Sequence, residues 1–311
     1  MFPAPVLDAL RIEPGRTALE FGERAVTRGE LRATVARMVT GLRAAGLGPG
    51  SGVVLTTAIS PEAYAAELAA HTLGCRVTLL RPGWTPSQIT TALNHPIDAF
   101  ITTPDAPGVT LHAAPGATSG TTSGTVPSTT SGTVPGTTSG TAPGATAQTL
   151  DLTTLAAHPA APLVPAAHPD DTARLTLHTD ATGRPAARPL SYRRYGLAFQ
   201  PEDWPPTLAT AMTAFQRYLI SGHLAAPLTT TYLGRCLIAG GTAILTPAPL
   251  TPTLIDHHHA TVTLLSPHRL QALLTAHHHT PNTLTTLQTV ILTTPPPTDL
   301  TTPFTLLHHT P

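Results

Sequence analysis

The chain of 311 residues contains no lysine; all 17 of its basic residues are arginine. Seventeen acidic residues balance them, so the formal net charge is zero. A neutral chain carries no electrostatic footprint for nucleic acid or an anionic membrane surface. Cysteine is almost absent. Cys75 and Cys236 are isolated, form no CxxC pair and lie in apolar segments, which excludes a disulfide framework and predicts buried free thiols. Charged residues make up 11% of the chain, well under the ~25% of ordinary globular domains. No apolar run reaches the length of a membrane span. The N-terminus, MFPAPVLDALRIEPG, carries acidic residues and no basic n-region, so it does not read as a signal peptide. The expected location is therefore cytoplasmic. There is no GxSxG elbow for a serine hydrolase. The closely spaced glycines at Gly46–Gly52 surround Pro49 and close a loop rather than opening a helix, unlike a dinucleotide fingerprint.

Proline, at 34 residues, and histidine, at 16, are what the chain has in quantity. The histidines make its charge sensitive to pH near neutrality. They gather as His257-His258-His259, His277-His278-His279 and His308-His309. Adjacent residues on a helix point about 100° apart, so a triplet does not put three ligands on one face. No metal site is assigned to them. Trp84 and Trp204 are expected to pack rather than to stack on a ligand.

Residues 1–103 read as regular α/β structure. Thr17–Phe21 is a short strand, and Thr27-Arg28-Gly29-Glu30 is a capping box. Leu31, Val35, Met38, Val39 and Leu42 then recur at helical spacing on one face. Further strands are expected at Val53–Thr57, Val77–Leu80 and Ala99–Thr102, with helices opened by Ser60-Pro61 and Thr85-Pro86. Strand–helix alternation at this spacing predicts βαβ units and a mostly parallel sheet.

Residues 104–169 break the pattern. TTSGTVPS at 121–128, TTSGTVPG at 129–136 and TTSGTAPG at 137–144 are tandem copies of one eight-residue unit. Each offers one small apolar residue for burial, too little to offset the entropy of ordering, so a disordered linker is expected. Thr118–Gly124 has the composition of a phosphate loop but lacks the strand before and helix after that such a loop requires. Alternation returns over 170–297. Strands are expected at Arg174–His178, Arg217–Ser221, Thr242–Leu245, Val262–Leu265 and Gln288–Leu292, and helices at Thr207–Phe215, Thr229–Ile238, Pro252–His258 and Pro267–His277. Residues 298–311 read as a frayed tail.

Several stretches follow one another in the order of a known family. Thr17-Ala18-Leu19 leads to the Thr27–Leu31 helix start; GLGPGSGVV, LAAHTLGCRV and AGGTAIL follow; Ala260–Leu274 comes last. Leu175–Ser191, LTLHTDATGRPAARPLS, reads as a strand running into a phosphate-binding loop. In this set of motifs the chain resembles the adenylate-forming (AMP-binding) superfamily, which includes acyl-CoA synthetases, across 1–103 and 173–297. The resemblance implies an α/β fold, the N-terminal domain of such a ligase, incomplete and interrupted by the repeat. It implies ATP and Mg²⁺ as cofactors, and a reaction joining a carboxylate to ATP, with release of pyrophosphate. CoA or a carrier-protein thiol then takes the acyl group.

The family loop, S/T-S/T-G-S/T-T-G-x-P-K, closes backbone N–H groups around phosphate oxygens while its lysine adds a positive charge. Thr179, Thr182, Gly183 and Arg184 form the remnant phosphate-binding set, with Pro185 also matching. Asp180 replaces a glycine and Ala186 replaces the lysine. A carboxylate about 5 Å from one phosphate charge costs ~3 kcal/mol at an effective dielectric near 20. Arg184 and Arg188 are the candidate replacement cations, out of register with the lysine. In Gly222–Leu228 the family's pocket histidine falls on Ala226, with His223 three residues earlier. The family's later motifs, including its Mg²⁺-binding glutamate, ribose-binding aspartate and catalytic lysine, have no counterpart before Pro311. No catalytic residue is therefore assigned. The expectation is a ligase-like protein with little or no adenylating activity. The alternatives are a non-catalytic module that binds a carrier protein or full-length synthetase, and a ligase completed by another chain.

Overall fold

The computed structural model describes residues 1–81, 83–103, 147–179, 182–280, 283–295 and 302–308. The repeat units, and the disorder expected of them, lie outside the described residues, as do Thr118–Gly124 and His309.

Helix α1 (Ala4–Ala9) precedes β1 (Thr17–Phe21) and β2 (Arg24–Thr27), an antiparallel pair. Helix α2 (Arg28–Ala44) starts at the predicted capping box. The Thr27 hydroxyl accepts from Glu30 N, and Glu30 Oε2 accepts from Thr27 N at 2.7 Å. Its predicted apolar face, Leu31 to Leu42, is buried. Strand β3 (Gly52–Thr56), α3 (Pro61–Thr72), β4 (Arg76–Leu79), α4 (Pro86–Leu93) and β5 (Ala99–Thr102) follow as parallel βαβ units. Helix α3 is buried on all sides, which its alanines allow: small side chains let it lie close to its neighbours.

Beyond the repeat come β6 (Gln148–Asp151) and α5 (Leu152–Ala156), then β7 (Thr172–Thr179), β8 (Pro185–Ser191) and α6 (Tyr192–Leu197). The chain continues through α7 (Pro206–Met212), β9 (Arg217–Ser221), α8 (Pro227–Ile238), β10 (Thr242–Thr246), α9 (Pro252–His257), β11 (Val262–Leu265), α10 (Pro267–His279), β12 (Thr289–Leu292) and β13 (Thr305–His308).

The strands form two sheets. One has the order β6-β5-β3-β4-β7-β8 and the other β13-β12-β11-β9-β10-β1-β2. Both are parallel except at the β7–β8 and β1–β2 pairs. The α/β class and mostly parallel pairing expected from the sequence are thus present. Each sheet takes strands from both sides of the repeat, so residues 1–103 and 170–297 are not separate structural units. One core joins them, with α3 and α8 contributing to it from the two sides. Where α8 approaches α1, a Cβ on Gly234 would stand 2.5 Å from the Phe199 ring and 3.2 Å from Val6, so only glycine fits.

Two expectations need correction. The linker does not extend to 169. β6 pairs with β5, Asp151 caps α5 by accepting from Thr153 N at 2.7 Å, and Leu152 and Leu155 are buried. These leucines supply the apolar burial that the octapeptides lack. The tail is also not frayed throughout. Thr305–His308 pairs in parallel with β12, and Phe304 is buried beside it, because the Phe-Thr-Leu-Leu run can both bury a face and join a ladder. No helix among the described residues is long and apolar enough to cross a membrane.

Candidate active site

The segment that the motif reading takes as a remnant phosphate loop forms the turn of the β7–β8 hairpin. His178 pairs with Ala186 and Thr179 with Pro185. Thr179 ends β7, and Thr182, Gly183 and Arg184 stand exposed at the tip. Gly183 has φ +80°, a left-handed conformation that a β-carbon would strain. The hairpin therefore brings the predicted residues together. Asp180 and Ala181 lie outside the described residues. The chain passes from the turn directly into β8, so no helix N-terminus stands behind the loop.

The register places the candidate residues beyond the turn. Ala186 lies opposite His178, and Arg188 opposite Thr176. Residues two apart on a strand share a face and stand ~6.6 Å apart, so Arg188 is on the face of Ala186 but one step further from the tip. It lines a small cavity of about 230 Å³ with Arg174, Arg194 and Leu228. The segment before α8 carries Ala226 as its N-cap, without a side-chain hydrogen bond. His223 is half-buried, and its Nε2 lies 3.2 Å from Arg81 Nε. Burial holds the His223 imidazole below its usual range, and the charges of Arg81 and Arg269 lower it further.

Below the hairpin lies a buried polar cluster that the sequence reading did not find. Arg174 of β7 and Glu67 of α3 are each 1% exposed. Arg174 Nη2 donates to Glu67 Oε1 at 3.0 Å, and Nη1 donates to Tyr195 Oη at 3.1 Å and Thr230 Oγ1 at 2.9 Å. His71, one turn along α3 from Glu67, places Nδ1 3.1 Å from Tyr192 Oη. That hydroxyl donates to the Cys75 carbonyl at 2.7 Å, so the His71 proton sits on Nδ1. Tyr64 Oη, Glu67 Oε2 and His71 Nε2 are buried with no hydrogen-bond partner among the described residues. Burial pushes Glu67 up, with Arg174 and the Thr230 hydroxyl pulling it partway back. Burial, followed by the Arg174 charge, holds His71 well below its usual range. The signal available in the sequence was a charged residue inside an apolar pattern, Glu67 among alanines and Arg174 at the start of a strand.

Cys75 and Cys236 are buried free thiols, each pushed up to about 12 by burial. Trp204 is half-buried and donates Nε1–H to the Ala198 carbonyl at 3.1 Å. The paired rings of His257 and His258 meet edge to face at 4.8 Å. Among the described residues no group of three or more His, Cys, Asp or Glu side chains is placed to hold a metal ion.

Two sheets, a shared helical core and an exposed Thr-Gly turn between β7 and β8 define an α/β protein. The AMP-binding enzyme family matches residues 8–305, and the chain belongs to that family. Solved structures agree on the fold. The N-terminal subdomain of Klebsiella oxytoca NpsA, in complex with 3-hydroxybenzoyl-AMSN, is 18% identical with a TM-score of 0.68, over 94% of this chain and 66% of that one. Bacillus subtilis o-succinylbenzoate CoA synthetase (MenE) in complex with AMP is 17% identical with a TM-score of 0.67, over 94% of this chain and 68% of that one. MenE with its acyl-adenylate intermediate OSB-AMP has a TM-score of 0.66 at 18% identity, over 94% of this chain and 54% of that one. The chain thus spans about two thirds of the NpsA subdomain and about half of the longer MenE chain. No curated protein matches it.

Proposed function

We propose that this protein is an acyl-adenylate-forming ligase-like member of its family in which carboxylate activation by ATP is weak or absent. The observation that carries the reading is the register of the hairpin. Ala186, which the motif resemblance aligns with the family's lysine, pairs with His178. A methyl group there adds no positive charge to the phosphate loop. The Thr182-Gly183 turn keeps the small residues with which backbone N–H groups can approach an anion. The expectation that a triphosphate is poorly held rests on the alanine at 186, where the family resemblance places a lysine and the side chain supplies no cation. No chemical step is therefore assigned to individual residues. Family membership and the NpsA and MenE frames support a carboxylic acid as the ligand class and CoA or a carrier thiol as the acceptor class.

ATP–pyrophosphate exchange with a panel of aliphatic and aromatic carboxylic acids tests the reading. Exchange at background for every acid is expected. Clear exchange with any one of them overturns it.

A further inference from the structure

We propose that Tyr64, Glu67 and His71 hold a single buried water molecule that joins the two halves of the polar cluster beneath the hairpin. The three residues are spaced three and four apart along α3, so they share one face of the helix. Tyr64 and Glu67 are each 1% exposed and His71 0%. Each carries one buried polar atom with no hydrogen-bond partner among the described residues: Tyr64 Oη, Glu67 Oε2 and His71 Nε2. The imidazole and the carboxylate face each other, with His71 Nε2 3.9 Å from Glu67 Oε1. That gap is too long for a direct hydrogen bond.

The placement of protons decides which ligand fits. The His71 ring proton sits on Nδ1, where it is donated to Tyr192 Oη. Burial, followed by the Arg174 charge, keeps the ring neutral, so Nε2 presents a bare lone pair. Glu67 Oε1 accepts from Arg174 Nη2 at 3.0 Å, and Oε2 is a second acceptor. Tyr64 Oη brings a hydroxyl proton, which makes it a donor. Two acceptors and one donor therefore require a ligand with two protons to give and a lone pair to receive one. Water meets that requirement, donating to His71 Nε2 and Glu67 Oε2 and accepting from Tyr64. Buried waters make ~3 hydrogen bonds to groups of this kind. A bare cation could not accept the tyrosine proton, and an anion would face the carboxylate.

Aromatic rings close the site. The Phe2 ring meets His71 edge to face at 4.9 Å and Tyr195 at 4.7 Å. The water is thereby kept from bulk solvent and exchanges slowly. It completes a hydrogen-bonded chain from the Cys75 carbonyl through Tyr192, His71 and Glu67 to Arg174 and Thr230. Helix α3 precedes the repeat and α6, β7 and α8 follow it, so this chain is a polar tie between the two parts of the sequence.

A crystal structure of the full chain, at a resolution that shows ordered water, tests this. One density peak within hydrogen-bond distance of Tyr64 Oη, Glu67 Oε2 and His71 Nε2 is expected. Direct contact of the Glu67 carboxyl with His71 Nε2, or of Tyr64 Oη with Glu67 Oε2, with no peak between them would overturn the proposal. Water magnetic relaxation dispersion, which counts slowly exchanging waters, tests it in solution. Wild type should show one more such water than His71→Leu and one more than the double variant Glu67→Leu with Arg174→Met. An equal count in wild type and both variants would overturn it as well. Neither measurement involves ATP or a carboxylic acid.

Discussion

Replacing Arg174 by methionine removes the cation from a site where its partner cannot reach water. The substitution deletes the 3.0 Å pair with Glu67 and the hydrogen bonds to Tyr195 and Thr230. It leaves a carboxylate that is 1% exposed and whose second oxygen already has no partner among the described residues. Breaking a buried pair in this way costs ~3–5 kcal/mol, against a total stability of ~5–15 kcal/mol for a typical domain. Replacing both members, Glu67→Leu with Arg174→Met, removes the stranded charge and should return stability to near the wild-type value or above it. The single variant also has a pH signature. Burial raises Glu67 in the folded state, and without Arg174 nothing comparable opposes that rise. A carboxyl raised on folding binds its proton more tightly in the native state, so its stabilising contribution is present at low pH and lost as pH rises. Arg174→Met should therefore be closer to wild type at pH 5 than at pH 8. Urea unfolding followed by far-UV circular dichroism at both pH values, for wild type, both single variants and the double, measures all of this. A single-variant loss below ~1 kcal/mol at pH 8, or a loss identical at pH 5, would refute the argument.

His71 works in the opposite direction: its folded-state value lies well below the ordinary one, so it favours the native state above about pH 6.5 and that contribution fades as pH falls. His71→Leu should flatten the acid side of the stability profile relative to wild type, with Glu67, Arg174, Tyr64, Tyr192 and Tyr195 unchanged around it; parallel unfolding curves at pH 5 and 7.5 for the two proteins would count against this. Ala186→Lys returns a cation to the hairpin on the face shared with His178. One unit charge ~5 Å from a phosphate contributes ~1–3 kcal/mol for dielectric values between those of water and a protein surface, so ATP binding by calorimetry should tighten about tenfold or more. An unchanged dissociation constant would show that the missing charge is not what limits the loop.

Much of the fold was legible because local chemistry and tertiary packing agree. The capping box at Thr27–Glu30, the apolar face of α2 and the short runs Arg217–Ser221 and Val262–Leu265 all appear at the expected places. Strand β8 was not legible. It contains Pro185 and Pro189, and proline lowers strand propensity, but an edge strand tolerates it where no ladder donor is needed. Its pairing with β7, not its composition, makes it a strand. The loop residues Thr182–Arg184 were visible as a motif because they are consecutive. The Glu67–Arg174 pair, 107 residues apart, and the Arg81–His223 contact, 142 apart, come together only through the sheet order. Nothing local announces them.

The interleaving of the two sheets has a consequence for cutting the chain. A break anywhere in residues 104–146 would give one piece with β1–β5 and another with β6–β13. The first would hold three of the strands of one sheet and two of the other, and the second would hold the remainder of both. Neither piece could bury the faces of α3 and α8 alone. Each piece would therefore need the other's strands to complete both sheets.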